Sequence, residues 1–441
     1  MPGAPVHFSG KALRTADQPI SYFMQQAVEN PNLISLAAGL VDAESLPAPE
    51  VADALAALLG RPQTAQAALQ YGTTQGLAPL REKVLARTTK LDGVAPEDIS
   101  LSADDVVVTT GSQQLLYLVG ELLLDPGDIV ITEAPSYFVY QGTLASQGAR
   151  VLAVPVDEDG MNTAALEELL SRLEESGELD RVRLIYVVDY FQNPSGLTLS
   201  LPRRRHLLAL ARRYSRRRRI FVLEDAAYRE LRYQGPDLPS IKSFDLDNSH
   251  VILALTFSKP CAPGLKTGYG FLPRELMGPL LRLKGNHDFG SNNLTQHLLD
   301  RLLETGAYDR HVARLCDVYR AKRDALLEAL GREFGATSSN GRPAVRWTHP
   351  DGGLYVWLTL PPGVDTGPEG ALMRAALREG VLYVPGQFCY VGGSGLAIPT
   401  WEARLSFGLV PSEQIGEGVR RLGRALRQVA VSGQPSAVSS Q

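Results

Sequence analysis

Five short apolar runs alternate with segments of helical period between residues 106 and 255. The runs consist almost entirely of apolar and β-branched residues, which is typical of strands buried on both faces of a parallel sheet. They cover residues 106–109, 129–132, 184–188, 220–223 and 251–255. Helical patterns lie between them at residues 113–124, 164–173 and 202–214. This alternation predicts an α/β fold with a mostly parallel sheet covered by helices on both faces.

The length and charge of the chain restrict its class. A chain of 441 residues is too long for one ordinary core, so two domains are expected. The net charge of −4 provides no global basic field for nucleic acid, and no nucleic-acid partner is predicted. An arginine-rich segment at residues 212–219 could be a nuclear signal or a nucleic-acid patch, but a solvated helix end is the favoured interpretation.

The distribution of apolar residues and cysteines favours a cytoplasmic protein. No apolar run reaches about 18 residues, so no membrane span is predicted. The first ten residues lack a basic segment followed by an apolar stretch, so no signal peptide is predicted. Cys261, Cys316 and Cys389 are widely separated and have neither metal-ligand spacing nor the pattern of a disulfide framework. We therefore predict a reducing cytoplasm and no metal.

Two polar residues follow the ends of predicted strands. Asp225 comes after the run at 220–223, and Lys259 comes after the run at 251–255. Ligands of open α/β sheets bind beyond the carboxyl ends of the strands, so both side chains are predicted to face one site. One lysine for a Schiff base and one buried acid for a pyridinium nitrogen are what pyridoxal 5′-phosphate requires of a protein. Each residue also has an ordinary alternative, because lysine is usually solvated and aspartate often caps a helix.

A third segment, Gly111-Ser112-Gln113, follows a predicted strand and opens a predicted helix. Backbone N–H groups and the helix dipole at such a turn favour a bound phosphate. The Ser112 hydroxyl and the Gln113 amide N–H are the candidate donors. Helix capping by Ser112 is the structural alternative, and it is compatible with phosphate binding.

These residues belong to an ordered set of motifs that resembles the class I/II aminotransferases of PLP fold type I. Within that family the chain is most similar to the aminoadipate/kynurenine aminotransferase-like subgroup. The resemblance extends from about Leu33 to about Gly423. It rests on the segments Leu69-Gln-Tyr-Gly, Thr110-Gly-Ser-Gln-Gln, Ala134-Pro-Ser-Tyr, Gln192-Asn-Pro-Ser-Gly, Glu224-Asp-Ala-Ala-Tyr, Phe257-Ser-Lys-Pro-Cys-Ala-Pro-Gly-Leu-Lys, Gly352-Gly-Leu-Tyr-Val-Trp and Arg404-Leu-Ser-Phe.

The resemblance implies a large domain with a mostly parallel mixed sheet between helices, and a smaller α+β domain. A long helical pattern covers residues 292–330, and a strand-and-helix region follows at 345–426. We predict an N-terminal arm with part of the small domain at 1–60 and the large cofactor-binding domain at 61–306. The rest of the small domain is predicted at 307–430, with a disordered tail at 431–441.

The resemblance also implies a reaction and a role for each side chain at the cofactor. The enzyme would move an amino group from an L-amino acid to a 2-oxo acid such as 2-oxoglutarate, by a ping-pong mechanism through a Lys259 aldimine. Asp225 would pair with the pyridinium nitrogen, and Tyr228 and Asn193 would hydrogen-bond the phenolic oxygen. Lys266 stands where most members carry arginine, so the compact charge of an ammonium group replaces a planar guanidinium group. The ring and the phosphate would contact Tyr137, Ser112, Gln113, Thr256, Ser258 and Lys266.

The remaining implied contacts concern the substrate and a second subunit. Arg404 matches the arginine that binds the α-carboxylate, and Gly39 matches a glycine whose backbone lies against the substrate. Asn193 is predicted to contact the substrate as well as the cofactor. Tyr71 matches a tyrosine that reaches the phosphate of the neighbouring subunit, so a homodimer with shared active sites is predicted.

Substrate preference is predicted from one position of the N-terminal segment. Tyr22 stands where acid-selective relatives carry an arginine, which favours neutral or aromatic substrates, with aminoadipate as a further candidate. The alternative is that Tyr22 does not meet the substrate. A strong preference for acidic donors would then require another cation, such as Arg14.

Two other classes share this set of residues. A PLP fold type I lyase, decarboxylase or synthase would use the same Lys259, Asp225 and Tyr228. A ligand-sensing regulator would need a DNA-binding segment ahead of the fold, which the start of the resemblance near Leu33 disfavours. Cycling of the cofactor to its amine form with an oxo acid would distinguish an aminotransferase from both.

Overall fold

A computed structural model describes residues 6–15, 26, 30, 32–335 and 345–432 of the chain. Within these residues the strands form an eight-stranded, a four-stranded and a two-stranded sheet. The strands, numbered in chain order, are β1 (Ile34–Ser35), β2 (Val106–Thr109), β3 (Ile129–Ala134), β4 (Arg150–Asp157), β5 (Gly160–Met161), β6 (Val182–Val187), β7 (Phe221–Asp225), β8 (Val251–Thr256), β9 (Gly268–Phe271), β10 (Arg346–Trp347), β11 (Tyr355–Thr359), β12 (Val381–Leu382), β13 (Val384–Pro385) and β14 (Glu402–Ser406).

The eight-stranded sheet is the predicted mostly parallel sheet. Its order is β2-β9-β8-β7-β6-β3-β4-β5, and every neighbouring pair from β8 to β4 is parallel. Strand β9 is antiparallel to both β2 and β8, so β2 runs in the same direction as β8. The carboxyl ends of β2, β3, β6, β7 and β8 therefore lie along one edge of the sheet, where the sequence predicts the ligand site.

Helices cover both faces of this sheet. Successive residues of β3 alternate between two cores, because Ile129 and Ile131 pack into one and Val130 packs into the other. The helices of the described residues are Gly10–Arg14, Ala48–Leu59, Pro62–Leu69, Ala78–Asp92, Gly111–Leu123, Phe138–Gln147, Thr163–Glu175, Leu201–Tyr214, Arg274–Asp288, Asn293–Glu304, Ala307–Phe334, Ala371–Glu379 and Ser412–Ser432. All five predicted strands and all three predicted helices of the 106–255 region are present, with ends shifted by at most two residues.

Strand β9 was not identified from the sequence, because its two glycines are unfavourable in a strand interior. The structure shows why glycine stands there. A Cβ atom on Gly268 would lie 2.6 Å from the backbone of Gly111 and Ser112, and one on Gly270 would collide with Leu115. The glycines of β9 therefore let the sheet approach the first turn of helix Gly111–Leu123.

The prediction of one long helical segment over residues 292–330 is wrong at one point. The structure has two helices there, Asn293–Glu304 and Ala307–Phe334. Gly306 separates them with a left-handed φ of 68°, which ends the hydrogen-bonding pattern of the first helix. Apolar periodicity continues on both sides of the break, so periodicity alone does not reveal it.

The C-terminal region contains the four-stranded antiparallel sheet, in the order β10-β11-β14-β13. Strand β1 pairs in parallel with β12, which joins residues near the N-terminus to this region. The domain boundaries at 60, 306 and 430 remain predictions, and most of the predicted tail lies outside the described residues. No helix in the described part of the chain combines the length and apolar character that a membrane span needs.

The arginine-rich segment lies at the exposed end of helix Leu201–Tyr214 and in the turn after it. Most of its side chains face carboxylates of neighbouring elements. The ion pairs are Arg212–Asp245, Arg212–Asp247, Arg213–Glu167, Arg216–Glu174, Arg217–Asp180 and Arg219–Glu275. These pairs offset the local positive charge, as expected of a solvated helix end.

Candidate active site

A cavity of about 240 Å³ opens at the carboxyl edge of the large sheet. Ten residues predicted to contact the cofactor line it together. They are Ser112, Gln113, Tyr137, Asn193, Asp225, Tyr228, Thr256, Ser258, Lys259 and Lys266. The parallel strands bring these residues together because each lies at a strand end or in the segment that follows it.

Lys259 lies three residues after the end of β8. Its Nζ atom donates a hydrogen bond to the carbonyl oxygen of Gly39 at 2.9 Å. The same atom lies 5.9 Å from the ring centroid of Tyr228. The amine is therefore held at the cavity wall beside a segment that is 220 residues away in sequence.

Asp225 is the last residue of β7 and is buried at the floor of the cavity. Its carboxylate accepts hydrogen bonds from the Tyr186 hydroxyl at 2.9 Å and from the Ala227 N–H at 3.2 Å. Burial raises the pKa of Asp225 to about 6, although both hydrogen bonds lower it. No cationic side chain of the described residues forms an ion pair with Asp225. The buried carboxylate therefore lacks a counter-charge that a protonated ligand nitrogen can supply.

The first turn of helix Gly111–Leu123 forms another wall of the cavity. Gly111 has a φ of +74°, and the N-cap is Thr110, so Ser112 lies inside the first turn and is not the capping residue. The Gln113 side chain donates to the Thr143 hydroxyl at 3.2 Å. The Gln113 backbone N–H lies in the first turn of the helix, where N–H groups have no intrahelical acceptor, so it is available to a ligand. Free N–H groups at a helix start favour an anion such as phosphate.

Two further segments complete this wall. The Thr256 hydroxyl lies 3.0 Å from the Ser258 hydroxyl, so the two polar groups form one cluster at the end of β8. Lys266 is exposed and has a left-handed φ of 48° at the end of a short 3-10 turn. It brings a positive charge to the mouth of the cavity without a planar guanidinium.

A second cavity of about 140 Å³ adjoins the first. The two share Tyr137, Asn193, Tyr228 and Lys259 in their linings. The second is also lined by two other predicted substrate residues, Gly39 and Arg404, and by Leu40, Phe138, Val139 and Tyr355. A ligand seated in the first cavity can therefore react with a molecule bound in the second.

Arg404 is a buried cation in the wall of the second cavity. Its Nη1 atom donates to the Asn193 Oδ1 atom at 2.8 Å, and its Nη2 atom donates to the Ala37 carbonyl at 2.7 Å. The guanidinium lies 4.4 Å from the ring centroid of Tyr355, and its buried Nε atom has no partner among the described residues. A buried charge with an unused donor is suited to a carboxylate ligand.

One predicted cofactor contact, Tyr71, lies outside both cavities of its own chain. It is 83% exposed, with its ring against Phe289, which is 62% exposed, at a centroid distance of 5.7 Å. Tyr22 lies outside the described residues.

Sequence reasoning missed two tyrosines of the site. Tyr186, on β6, is fully buried and donates to Asp225, and Tyr355, on β11, lies between Arg404 and Tyr228. A tyrosine in an otherwise aliphatic buried strand was the available signal for Tyr186, because a buried hydroxyl needs a partner. Tyr355 lies in a recognised motif, but its partners are remote in sequence.

The residues of the first cavity fit pyridoxal phosphate. An amine, an anion-binding helix start and an unpaired buried carboxylate surround one space. Gly268 has no Cβ, and a Cβ there would collide with the backbone of the same helix start, so the wall that would hold the phosphate depends on this glycine.

Comparison with known proteins decides the family. The sequence model of the aminotransferase class I and II family matches residues 31–422. The chain belongs to the class I and II aminotransferases. The predicted PLP fold type I architecture, the predicted cofactor and the predicted pyridoxal phosphate-dependent aminotransferase are thereby confirmed.

Individual relatives of this aminotransferase cover nearly its whole length. It is 35% identical to aromatic-amino-acid aminotransferase 1 of Thermococcus litoralis over 96% of this chain and 94% of the relative. It is 39% identical to 2-aminoadipate transaminase of Thermus thermophilus over 90% of this chain and 91% of the relative. Its structure resembles Pyrococcus horikoshii kynurenine aminotransferase in complex with PMP, with a TM-score of 0.85, 34% identity and coverage of 96% and 97%.

Proposed function

We propose that this aminotransferase moves an amino group from a neutral or aromatic L-amino acid to a 2-oxo acid such as 2-oxoglutarate. The observation that carries the proposal is the pair of adjoining cavities, one shaped for the cofactor and one lined by Arg404. Lys259 lies in the walls of both, where its amine can act on a molecule in either.

Four residues of the first cavity have proposed tasks at the ring of the cofactor or at the substrate. Bound pyridoxal phosphate supplies an aldehyde for the amino group and a ring that accepts electrons. Lys259 provides the amine that moves a proton at the substrate Cα atom. Asp225 holds a proton on the ring nitrogen, because its buried charge is stabilised by an adjacent cation. Tyr228 and Asn193 donate hydrogen bonds toward the phenolic oxygen of the cofactor.

The phosphate is proposed to lie at the start of helix Gly111–Leu123. The Ser112 hydroxyl and the Gln113 backbone N–H would donate to it, as would the hydroxyls of Thr256 and Ser258. Lys266 adds a charge at the cavity mouth. Tyr137, which lines both cavities, is proposed to stack on the ring of the cofactor.

The lining of the second cavity supports neutral or aromatic substrates. Leu40, Phe138, Val139 and Tyr355 present apolar surface, and the backbone of Gly39 faces the same space. Lys259 and Arg404 are the only cations among the described residues of this lining, and both already have proposed tasks. An acidic side chain of a substrate would therefore be buried without a partner.

Two observations outside this lining bear on the same proposal. Arg14, the alternative cation, lies 3.4 Å from the Ser146 carbonyl oxygen through its Nε atom and lines neither cavity of its own chain. The relatives act, by their names, on aromatic amino acids, 2-aminoadipate and kynurenine.

We propose Tyr22 as a further substrate contact, and aminoadipate as a weaker donor.

A donor screen tests this function. Single amino acids are added to the holoenzyme, the absorbance of the bound cofactor is followed, and 2-oxoglutarate is then added to restore the original spectrum. We expect phenylalanine, tyrosine or leucine to convert the cofactor to its amine form faster than aminoadipate or glutamate. Carbon dioxide release without an oxo-acid product would indicate a decarboxylase and contradict the proposal.

The Arg404→Ala variant is the matched test of the carboxylate contact. Loss of a charge-assisted bidentate contact typically costs a few kcal/mol, so KM should rise by more than about tenfold for every donor alike. A rise in KM for only some donors would show that Arg404 binds the substrate side chain and not the α-carboxylate.

We propose that the enzyme is a homodimer with shared active sites. Leu69, Tyr71 and Phe289 form an exposed apolar surface around a cavity of about 560 Å³ that shares no lining residue with the chain's own two cavities. Exposed patches of large apolar residues mark interaction surfaces. A second copy of the chain, with its Tyr71 at the phosphate region of this chain, would cover this exposed apolar surface.

Hybrid dimers test the shared site. A Tyr71→Phe chain and a Lys259→Ala chain, unfolded and refolded together, should form hybrids in which one site lacks both side chains and the other is intact. The mixture should therefore exceed the mean activity of the two parents refolded separately. Activity equal to that mean, or a fully active monomer in sedimentation, would contradict the shared site.

We also propose a cytoplasmic location. Cys261 and Cys389 are buried as free thiols, and Cys316 is free and partly buried. Unpaired cysteines are typical of a reducing compartment.

A further inference from the structure

We infer that Tyr355 is a positioning residue that directs the proton of the Tyr228 hydroxyl into the cofactor cavity and supports the Arg404 guanidinium with its ring. The inference rests on the proposed function, because it concerns the same two cavities. It adds one residue that acts on both the cofactor and the substrate side of the site.

The position of the Tyr355 hydroxyl is closely defined. Tyr355 is the first residue of β11 and is buried, and its Oη atom lies 3.1 Å from the Oη atom of Tyr228. The two rings meet edge to face with centroids 5.6 Å apart. On its other side the hydroxyl faces Gly39, where a Cβ atom would lie only 2.6 Å from it. The Tyr355 ring is therefore held between Gly39 and Tyr228, at the wall of the second cavity.

We assign the direction of this hydrogen bond from the acceptor proposed in the cofactor cavity, which is the phenolic oxygen of the cofactor. Each hydroxyl has one proton, and Tyr228 is the only hydrogen-bond partner of the Tyr355 hydroxyl among the described residues. If Tyr228 donated, the Tyr355 proton would have no acceptor among the described residues and could point only into the second cavity, which Tyr355 also lines, and the cofactor cavity would lose the Tyr228 donor. If Tyr355 donates, both protons are used, because the Tyr228 proton is free to point into the cavity that Tyr228 lines.

The hydrogen bond should also strengthen the donation from Tyr228. A hydroxyl that accepts a hydrogen bond becomes a better donor, because chains of hydrogen bonds polarise one another in a low-dielectric interior. Charged and titratable groups around Tyr228 are Tyr137, Tyr355, Lys259 and Arg404. Of these, the described structure gives only Tyr355 a direct hydrogen bond to the Tyr228 hydroxyl.

The ring of Tyr355 has a separate task. The Arg404 guanidinium lies over its face, with the central carbon 4.4 Å from the centroid. A cation over an aromatic face is stabilised and oriented by the ring. Phenylalanine at this position would keep the ring and remove the hydroxyl, whereas leucine would remove both. The two substitutions therefore separate the two tasks.

The test follows the absorbance of the bound cofactor against pH in the holoenzyme without substrate. The proteins are wild type, Tyr355→Phe, Tyr228→Phe, the double variant and Tyr383→Phe. Tyr383 is a matched control, because it is a buried tyrosine that lines neither cavity. Its hydroxyl donates to the Thr366 carbonyl at 3.0 Å. Donation from Tyr228 stabilises the anionic phenolic oxygen, so weaker donation should raise the apparent pKa of the bound cofactor.

We expect Tyr355→Phe to raise this pKa by at least about 0.3 pH unit, in the same direction as Tyr228→Phe and by less. The double variant should equal Tyr228→Phe alone, because Tyr355 acts through Tyr228. Tyr383→Phe should titrate as wild type. Titration of Tyr355→Phe as wild type, or full additivity in the double variant, would overturn the inference.

Kinetics provide the second measurement. Tyr355→Phe should leave KM for amino donors within about twofold of wild type, while Tyr355→Leu should raise KM for all donors through Arg404. Equal KM values for these two variants would overturn the task assigned to the ring. Failure of the proposed function is distinguishable, since wild-type holoenzyme would then not cycle to its amine form with any amino acid and back with 2-oxoglutarate.

Discussion

Replacing Lys259 with alanine is expected to abolish transamination while the protein still folds and binds some cofactor. The Lys259 amine lies in the lining shared by both cavities and is held 2.9 Å from the Gly39 carbonyl. Lys266, the other lysine of the first cavity, is exposed at its mouth and does not line the second. Without Lys259 the described residues provide no other amine that lines both cavities.

The measurement has a built-in control. Borohydride reduction of wild-type holoenzyme followed by peptide mass spectrometry should place the cofactor on Lys259, and the alanine variant should carry no such label. Lys266→Ala should weaken cofactor binding but keep the label on Lys259 and keep measurable turnover. Near-normal turnover of Lys259→Ala would overturn the proposed function altogether.

Asp225→Asn should lower turnover by at least about a hundredfold, which is roughly 3 kcal/mol of barrier. Asparagine has nearly the same shape but carries no charge to hold a proton on the ring nitrogen of the cofactor. A rate within about threefold of wild type, under 1 kcal/mol, would show that another group provides this charge.

The same substitution should stabilise the empty protein at neutral pH. Burial raises the pKa of Asp225 from 3.8 to about 6, so the folded protein holds this proton more tightly than the unfolded chain. Stability of the cofactor-free protein should therefore fall as pH rises from about 4 to about 6, by an amount on the order of 2 kcal/mol. Above that window the ionised carboxylate is buried without a counter-charge.

Thermal melting of cofactor-free wild type and Asp225→Asn at pH 4 and pH 7.5 checks the sign. The variant should melt higher than wild type at pH 7.5, and the difference should shrink or vanish at pH 4. Lower activity together with higher stability cannot result from unfolding. A lower melting temperature at pH 7.5 would show that Asp225 is stabilised by groups other than those that surround it in this structure.

Local patterns in the sequence were sufficient to predict the sheet and the residues of the first cavity. Buried parallel strands leave near-continuous apolar runs, and the polar residues that follow them, such as Asp225 and Lys259, must meet at one edge. Family motifs added Asn193, Tyr228 and Arg404, which the structure places around the same space. Periodicity failed at Gly306, because the apolar stripe continues across a backbone break.

The sequence by itself determined the fold class, the family and the set of groups that surround the cofactor cavity, because each is recorded in runs of a few neighbouring residues. Only the tertiary structure decided which side chains touch. Tyr355 meets Tyr228 across 127 residues, Arg404 meets Asn193 across 211, and Lys259 meets Gly39 across 220. Such contacts depend on strand register and on the packing of separate sheets, and no local pattern records either.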